Sequence, residues 1–193
     1  MALGWSGTSN SLDRMGWVCG YCGKSVGGNV GFERSAFGDK SKLVYICPHC
    51  ENPTAFIQAE GFGGFEQYPS AQYGADVDGL PESVGALYDE IRRCVQYTAY
   101  TSAALSIRKQ LMNVAVDKGA EPGKNFAHYV DYLADSGWIP PNGRGWVDEL
   151  RKGGNEVAHE IAVKTEREAH TMLDFSKMLL RFAYEFPARV RSV

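Results

Sequence analysis

Two Cys-x-x-Cys pairs, Cys19/Cys22 and Cys47/Cys50, are the residues of this chain best suited to chemistry. Each pair sets two soft thiolates on one tight turn. Two such turns brought together supply the four corners of a tetrahedral zinc site. Cys19-Gly20-Tyr21-Cys22-Gly23 and Cys47-Pro48-His49-Cys50 both read as knuckles of a zinc ribbon. Gly23, just after the second cysteine, permits the left-handed backbone that turns amide N–H groups toward sulfur. Zinc closed by four thiolates keeps no open position, so the expected cofactor is one structural zinc ion per chain. Two disulfides are the other use of four such cysteines, but they suit small secreted domains. His49 is displaced as a ligand by the cysteines that flank it.

A second polar constellation lies in 145–161, a stretch whose pattern predicts a helix. Trp146, Leu150, Val157 and Ile161 fall on one face at about 100° per residue, flanked by Gly153 and Gly154. Two adjacent glycines cost a helix about 1 kcal/mol each relative to alanine, so they point to a close approach of another backbone. Arg151, Asn155 and His159 recur at i, i+4 and i+8, roughly opposite the apolar face. One reading is a solvated face. The other is a site in which Arg151 holds a phosphate, His159 works as general acid or base, and Asn155 positions one of them.

The elements that must position these residues divide into three parts: a zinc ribbon at 1–59, a Gly/aromatic linker at 60–80, and a helical bundle at 81–193. Trp17-Val18, Asn29 to Phe32, Leu43 to Ile46 and Ala55 to Ile57 alternate with turns and suit a three-stranded ribbon around the metal. A core of that size would not stand without zinc. The linker interleaves six Gly and Pro positions from Gly61 to Gly79 with Phe62, Phe65, Tyr68 and Tyr73. Five helical stripes come after it. Val84, Leu87, Ile91 and Val95 mark the first, behind Pro81. Ala104, Ile107, Leu111 and Val114 mark the second, ended by Gly119. Phe126, Tyr129 and Leu133 mark the third, ended by Gly137. The helix at 145–161 is the fourth, and Met172, Phe175, Leu179, Phe182 and Phe186 mark the fifth. The expected class is α+β, mainly α.

The chain has 193 residues, is 44% hydrophobic and 22% charged, and carries a net charge of −3, the balance of a globular protein. Residues 1–80 hold five Lys/Arg against eight Asp/Glu, so the negative charge sits there, and no basic domain argues for non-specific nucleic-acid binding. No run reaches the roughly 18 apolar residues of a membrane helix. A reduced set of thiols fits the cytoplasm. The fifth cysteine, Cys94, falls on the first apolar stripe and reads as a small buried hydrophobe.

Taken together, the two knuckles, Tyr68-Pro69, Ser106 to Leu111, Tyr132 to Pro140 and above all Leu150 to Glu160 resemble the domain of unknown function numbered 4145. That domain is similar in turn to the HEPN superfamily of helical bundles. The resemblance implies a five-helix HEPN-like bundle behind the ribbon, in a bacterial or phage defence or regulatory system. It also implies a homodimer. Catalytic HEPN members are metal-independent endoribonucleases that use an arginine, a polar residue and a histidine. The matching residues here are Arg151, Asn155 and His159, with seven residues between Arg151 and His159. On that chemistry His159 would take the proton from a ribose 2′-hydroxyl and Arg151 would stabilise charge on the phosphate. The alternative implied by the same resemblance is a non-catalytic module that binds protein or nucleic acid, its zinc purely structural.

Overall fold

A computed structural model describes residues 7–33, 40–59, 63–140, 143, 145 and 163–191. The chain separates into two compact units, Met1–Gln72 and Tyr73–Val193. The first is built of strands and the second of helices, a mixed α+β protein.

In the first unit, β1 (Met15–Val18) and β2 (Ser25–Gly28) form an antiparallel hairpin around the first knuckle. A second sheet orders β3 (Gly31–Glu33), β4 (Lys42–Ile46), β5 (Pro53–Gln58) and β6 (Phe65–Tyr68) side by side, all antiparallel. The second knuckle is the turn between β4 and β5. Strand alternation sends Leu43, Tyr45 and Phe56 to one face, where they meet Leu12 and Trp17. Trp17, Tyr45 and Phe56 pack ring against ring, with centroids 5.5 to 5.9 Å apart. β1, β3, β4 and β5 fall where the apolar runs predict strands. β2 and β6 do not. Ser25-Val26-Gly27-Gly28 is too glycine-rich to signal a strand, and β6 lies inside the stretch read as a linker. The remainder of that stretch splits: Tyr73, Val77 and Leu80 pack on the helical core.

In the second unit, α1 (Glu82–Gln96), α2 (Tyr100–Asp117) and α3 (Phe126–Asp135) follow the predicted stripes. Ile91, Ile107, Leu111, Val114 and Leu133 are buried at their contacts, and each such side chain contributes about 1.5–3 kcal/mol by leaving water. α4 (Glu166–Leu180) completes the set of long helices among the described residues. The helix predicted over 145–161 lies outside the described residues. These residues therefore display α1–α4 and the prolongation of α4 rather than a complete five-helix bundle.

Two buried polar side chains of this unit, Gln110 and Arg92, are well paired. Gln110 is buried between α2 and α4, accepting from Ser176 Oγ at 2.7 Å and donating to the Val84 carbonyl at 3.2 Å. Arg92, also buried, donates to the carbonyls of Tyr73 and Gly74 and to Asp76, tying the segment before α1 to α1 itself. Cys94 is half-buried against the core, and burial pushes its thiol up, as a small hydrophobe should behave.

α4 does not stop at Leu180. It passes through a π-helical turn, Arg181–Glu185, into α5 (Phe186–Arg191). A π turn inserts an extra residue into the helix and rotates the residues beyond it. Phe175 and Leu179 are buried as the 3-4 spacing predicts. Within the turn Ala183 and Tyr184 take the buried positions, leaving Phe182 and, just past it, Phe186 about two-fifths exposed.

The start of α4 carries a capping box. Thr165 Oγ1 accepts from the Glu168 N–H at 3.3 Å, and Glu168 accepts from the Thr165 N–H at 2.9 Å. The Thr165 backbone and hydroxyl, then Lys164, hold the Glu168 carboxyl down to about 2 from its ordinary 4.5. A lowered carboxylate stabilises the fold above its unfolded pKa and loses that contribution as pH falls through the folded one. Thr165→Ala is expected to cost about 1 kcal/mol in urea unfolding at neutral pH. Glu168→Gln should be destabilising at pH 7, with its difference from wild type shrinking as pH falls from about 4.5 toward 2.

Candidate metal centre

The two knuckles are built alike. In the first, Cys19 N–H donates to the Lys24 carbonyl at 2.9 Å and Gly23 N–H to the Cys19 carbonyl at 2.9 Å. In the second, Cys47 N–H donates to the Asn52 carbonyl at 3.0 Å and Glu51 N–H to the Cys47 carbonyl at 2.9 Å. Both turns need a left-handed residue after the second cysteine. Gly23 supplies it at φ 69°, and Glu51 adopts it at φ 58° despite its side chain.

The turns bring Cys19, Cys22, Cys47 and Cys50 together with all four sulfurs within 4.8 Å of one another. Cys19 and Cys47 are fully buried, while Cys22 and Cys50 are half-buried. Cys19 Sγ lies 3.7 Å from Cys50 Sγ, and Cys22 Sγ lies 3.9 Å from Cys47 Sγ. A tetrahedral zinc with bonds of about 2.3 Å sets its sulfurs about 3.8 Å apart. The donor set therefore fits a tetrahedral metal ion, of the kind that four thiolates select. All four are free thiols rather than disulfides.

Backbone and side-chain donors prepare the sulfurs. Burial pushes the Cys19 thiol up, opposed by the N–H groups of Cys22 and Tyr21. Burial does the same at Cys47, opposed by those of Cys50 and His49. At Cys50 burial also pushes upward, but the Asn52 backbone and side chain, with Cys47 and Cys19, outweigh it and bring the thiol down to about 7. Asn52 Nδ2 reaches Cys50 Sγ at 3.5 Å and the Cys50 carbonyl at 3.4 Å. His49 stands outside the sulfur cluster, exposed, its Nε2 2.6 Å from Lys24 Nζ.

The far side of the first knuckle is closed by the segment after β6. Gln67 Nε2 donates to the Val18 carbonyl at 2.8 Å and to the Pro69 carbonyl at 2.9 Å. Gly20 packs so tightly there that a methyl group on it would lie 2.5 Å from the Ser70 carbonyl oxygen and 2.6 Å from that of Pro69.

Asn52, Gln67 and the close packing of Gly20 have no signature in the sequence beyond nearness to the cysteines. Arg151, Asn155 and His159 lie outside the described residues. Of the other histidines, His128 is exposed at the start of α3. His170 is not: it is half-buried, stacked on the Tyr73 ring at 3.8 Å and 2°. The same Tyr73 hydroxyl donates to Asp174 at 2.7 Å. No helix among the described residues is long and apolar enough to cross a membrane.

The family described as Domain of unknown function (DUF4145) matches residues 89–193, which takes in most of the helical unit. The chain belongs to that family. No curated protein and no solved structure matches the chain. Cys19, Cys22, Cys47 and Cys50 lie before the matched residues, so the candidate metal centre is outside the part of the chain that the family covers.

Two substitutions test how the centre is held. Gly20→Ala should lower metal affinity and cooperativity of unfolding, because two carbonyl oxygens must move. Gly16→Ala, whose methyl would meet only the Val26 oxygen at 3.8 Å, should be tolerated. Asn52→Leu is expected to weaken metal binding about 10–100-fold in a chelator competition, the usual effect of removing an outer-shell donor.

Proposed function

We propose that this chain is a non-catalytic binding module of the DUF4145 family whose ribbon is organised by one structural zinc ion. The observation that carries the reading is the sulfur geometry, with separations of 3.7 and 3.9 Å against the roughly 3.8 Å of a zinc tetrathiolate. Cys19, Cys22, Cys47 and Cys50 would hold the ion. Four thiolates leave it no position for water or substrate, so the metal supplies folding energy and shape rather than chemistry. Its partner would be a protein or nucleic acid in the cytoplasm.

A second reading rests on Arg151, Asn155 and His159, which share one helical face in the sequence. With the HEPN resemblance, these three support a metal-independent endoribonuclease of a defence or regulatory system, acting as a homodimer through five-helix bundles. His159 would be the acid–base group and Arg151 the planar phosphate clamp that lysine cannot replace.

Metal analysis of reduced protein should return one zinc per chain. Cys19→Ser should lose the zinc while the far-ultraviolet helical signal persists. Less than about half an equivalent, or disulfides among the four cysteines, would overturn the structural-zinc reading. Mixed single-stranded RNA and tRNA, offered with and without EDTA, separate the two functions. Cleavage that survives EDTA and is lost in His159→Ala selects the nuclease. Absence of cleavage by wild type selects the binding module.

A further inference from the structure

The four-stranded sheet has two faces, and only one is explained by the metal centre. Its inner face carries Leu43, Tyr45 and Phe56 into the aromatic core. A sheet packed on one side ordinarily turns polar residues outward. Here the register places Phe32, Val44, Ala55 and Tyr68 in one outward row across all four strands. Tyr68 is 47% exposed and the other three are half-buried. The next row on the same face reads Lys42, Ile57, Glu66, with Ile57 39% exposed. The face is thus apolar over its middle, with one cation on β4 and one anion on β6. Phe32, Val44, Ala55 and Ile57 line a shallow groove of about 390 Å³, together with Glu33, Lys42, Leu43 and Phe56.

The charges decide what fits. Lys42 has no partner among the described residues, and Glu66 accepts only from its neighbour Tyr68, at 2.7 Å. They stand on either side of Ile57, two strand spacings or roughly 10 Å apart. A surface with opposite charges placed evenly about an apolar centre is complementary to itself. A two-fold axis running along the strands through Ile57 lays Lys42 of each copy over Glu66 of the other. It sets Ile57 on Ile57 and Tyr68 over Val44. Sheets stacked face to face in this way lie about 10 Å apart, within reach of a lysine and a glutamate side chain. A nucleic acid fits poorly, because Glu66 stands beside Tyr68 and Lys42 is the one cation among the described residues of these two rows.

We propose that the outward face of the β3–β6 sheet is a two-fold contact between copies of this chain, held by an apolar centre at Ile57 and Ala55 and by reciprocal Lys42–Glu66 pairs. The area of one short four-stranded sheet is small, so the contact is a weak and transient one rather than an obligate interface. It is independent of any pairing made by the helical units, and independent of whether the protein cleaves RNA.

The experiment is sedimentation velocity of the full zinc-loaded chain over a concentration series of roughly 1–200 µM, at low and high salt, the range in which a contact of this size is populated. Wild type should associate with rising concentration, and less so at high salt. Lys42→Glu and Glu66→Lys should each weaken association at least about tenfold, by facing like charges across the axis. The combined Lys42→Glu/Glu66→Lys chain should recover it, because a two-fold contact between identical chains restores both pairs. Ile57→Asp should weaken association and gain nothing from the charge swap. Lys42, Ile57 and Glu66 are all exposed, and zinc content of each variant reports separately on the fold. Absence of association in wild type overturns the proposal. So does association indifferent to the single reversals, or a double variant no better than either one. A partner other than a second copy would show as loss of its binding in both single variants without recovery in the double, and that result too overturns the proposal.

Discussion

Four sulfur atoms within 4.8 Å of one another are the constraint on which the strand unit depends. Among the described residues its apolar interior is small: Leu12, Trp17, Leu43, Tyr45 and Phe56 beside the cysteines themselves. Those residues reach one another only because the two knuckles are drawn together, since one knuckle belongs to the β1–β2 hairpin and the other to the β4–β5 turn. The metal site and the aromatic core are therefore one structure. A dication bound by these four thiols would release their protons and close both turns at once, coupling binding to folding. The N–H groups aimed at the sulfurs matter for the same reason. They lower the cost of holding thiolate charge in a buried place, and they do so without adding an open coordination position.

The helical unit owes nothing to that device. Its core is a continuous apolar cluster from Tyr88 through Tyr184. Gln110 enters it matched to Ser176 and Val84, whereas Arg108 Nη1 is buried with no hydrogen-bond partner among the described residues, its guanidinium lying 4.4 Å over the Phe126 ring. Arg92 would be an expensive group to bury alone. Three acceptors on the segment before α1 offset that cost and fasten the segment in place. The two units thus differ in construction, one gathered around a four-cysteine cluster and one around a larger apolar core. The family match covers only the unit that packs.

Two features cut across these schemes. The π turn at Arg181–Glu185 sends Phe182 and Phe186 outward although their spacing continues the buried stripe. The outward face of the β3–β6 sheet carries apolar residues where alternation alone would place polar ones. Both are local rules overridden, and such places are where a protein meets something other than its own core.

The sequence by itself determined whatever depends on short spacing. Cys-x-x-Cys specifies a knuckle because two residues between ligands leave few backbone paths. Three-and-four periodicity specifies α1, α2 and α3 because each stripe must face a core. Gly23, Gly119 and Gly137 mark turns because a positive φ suits glycine, and all three adopt one. The features that only the tertiary structure decided depend on partners distant along the chain. β6 is a strand because β5 offers it a ladder, whatever its glycine-rich surroundings suggest. Gln67 holds the first knuckle from 49 residues away. His170 stacks on Tyr73, nearly a hundred residues earlier. The extra residue of the π turn changes which side of a helix is buried without changing the pattern that predicts it. Local spacing encodes what a segment prefers to be. Which of its faces is covered, and by what, is a property of the segments that arrive from elsewhere.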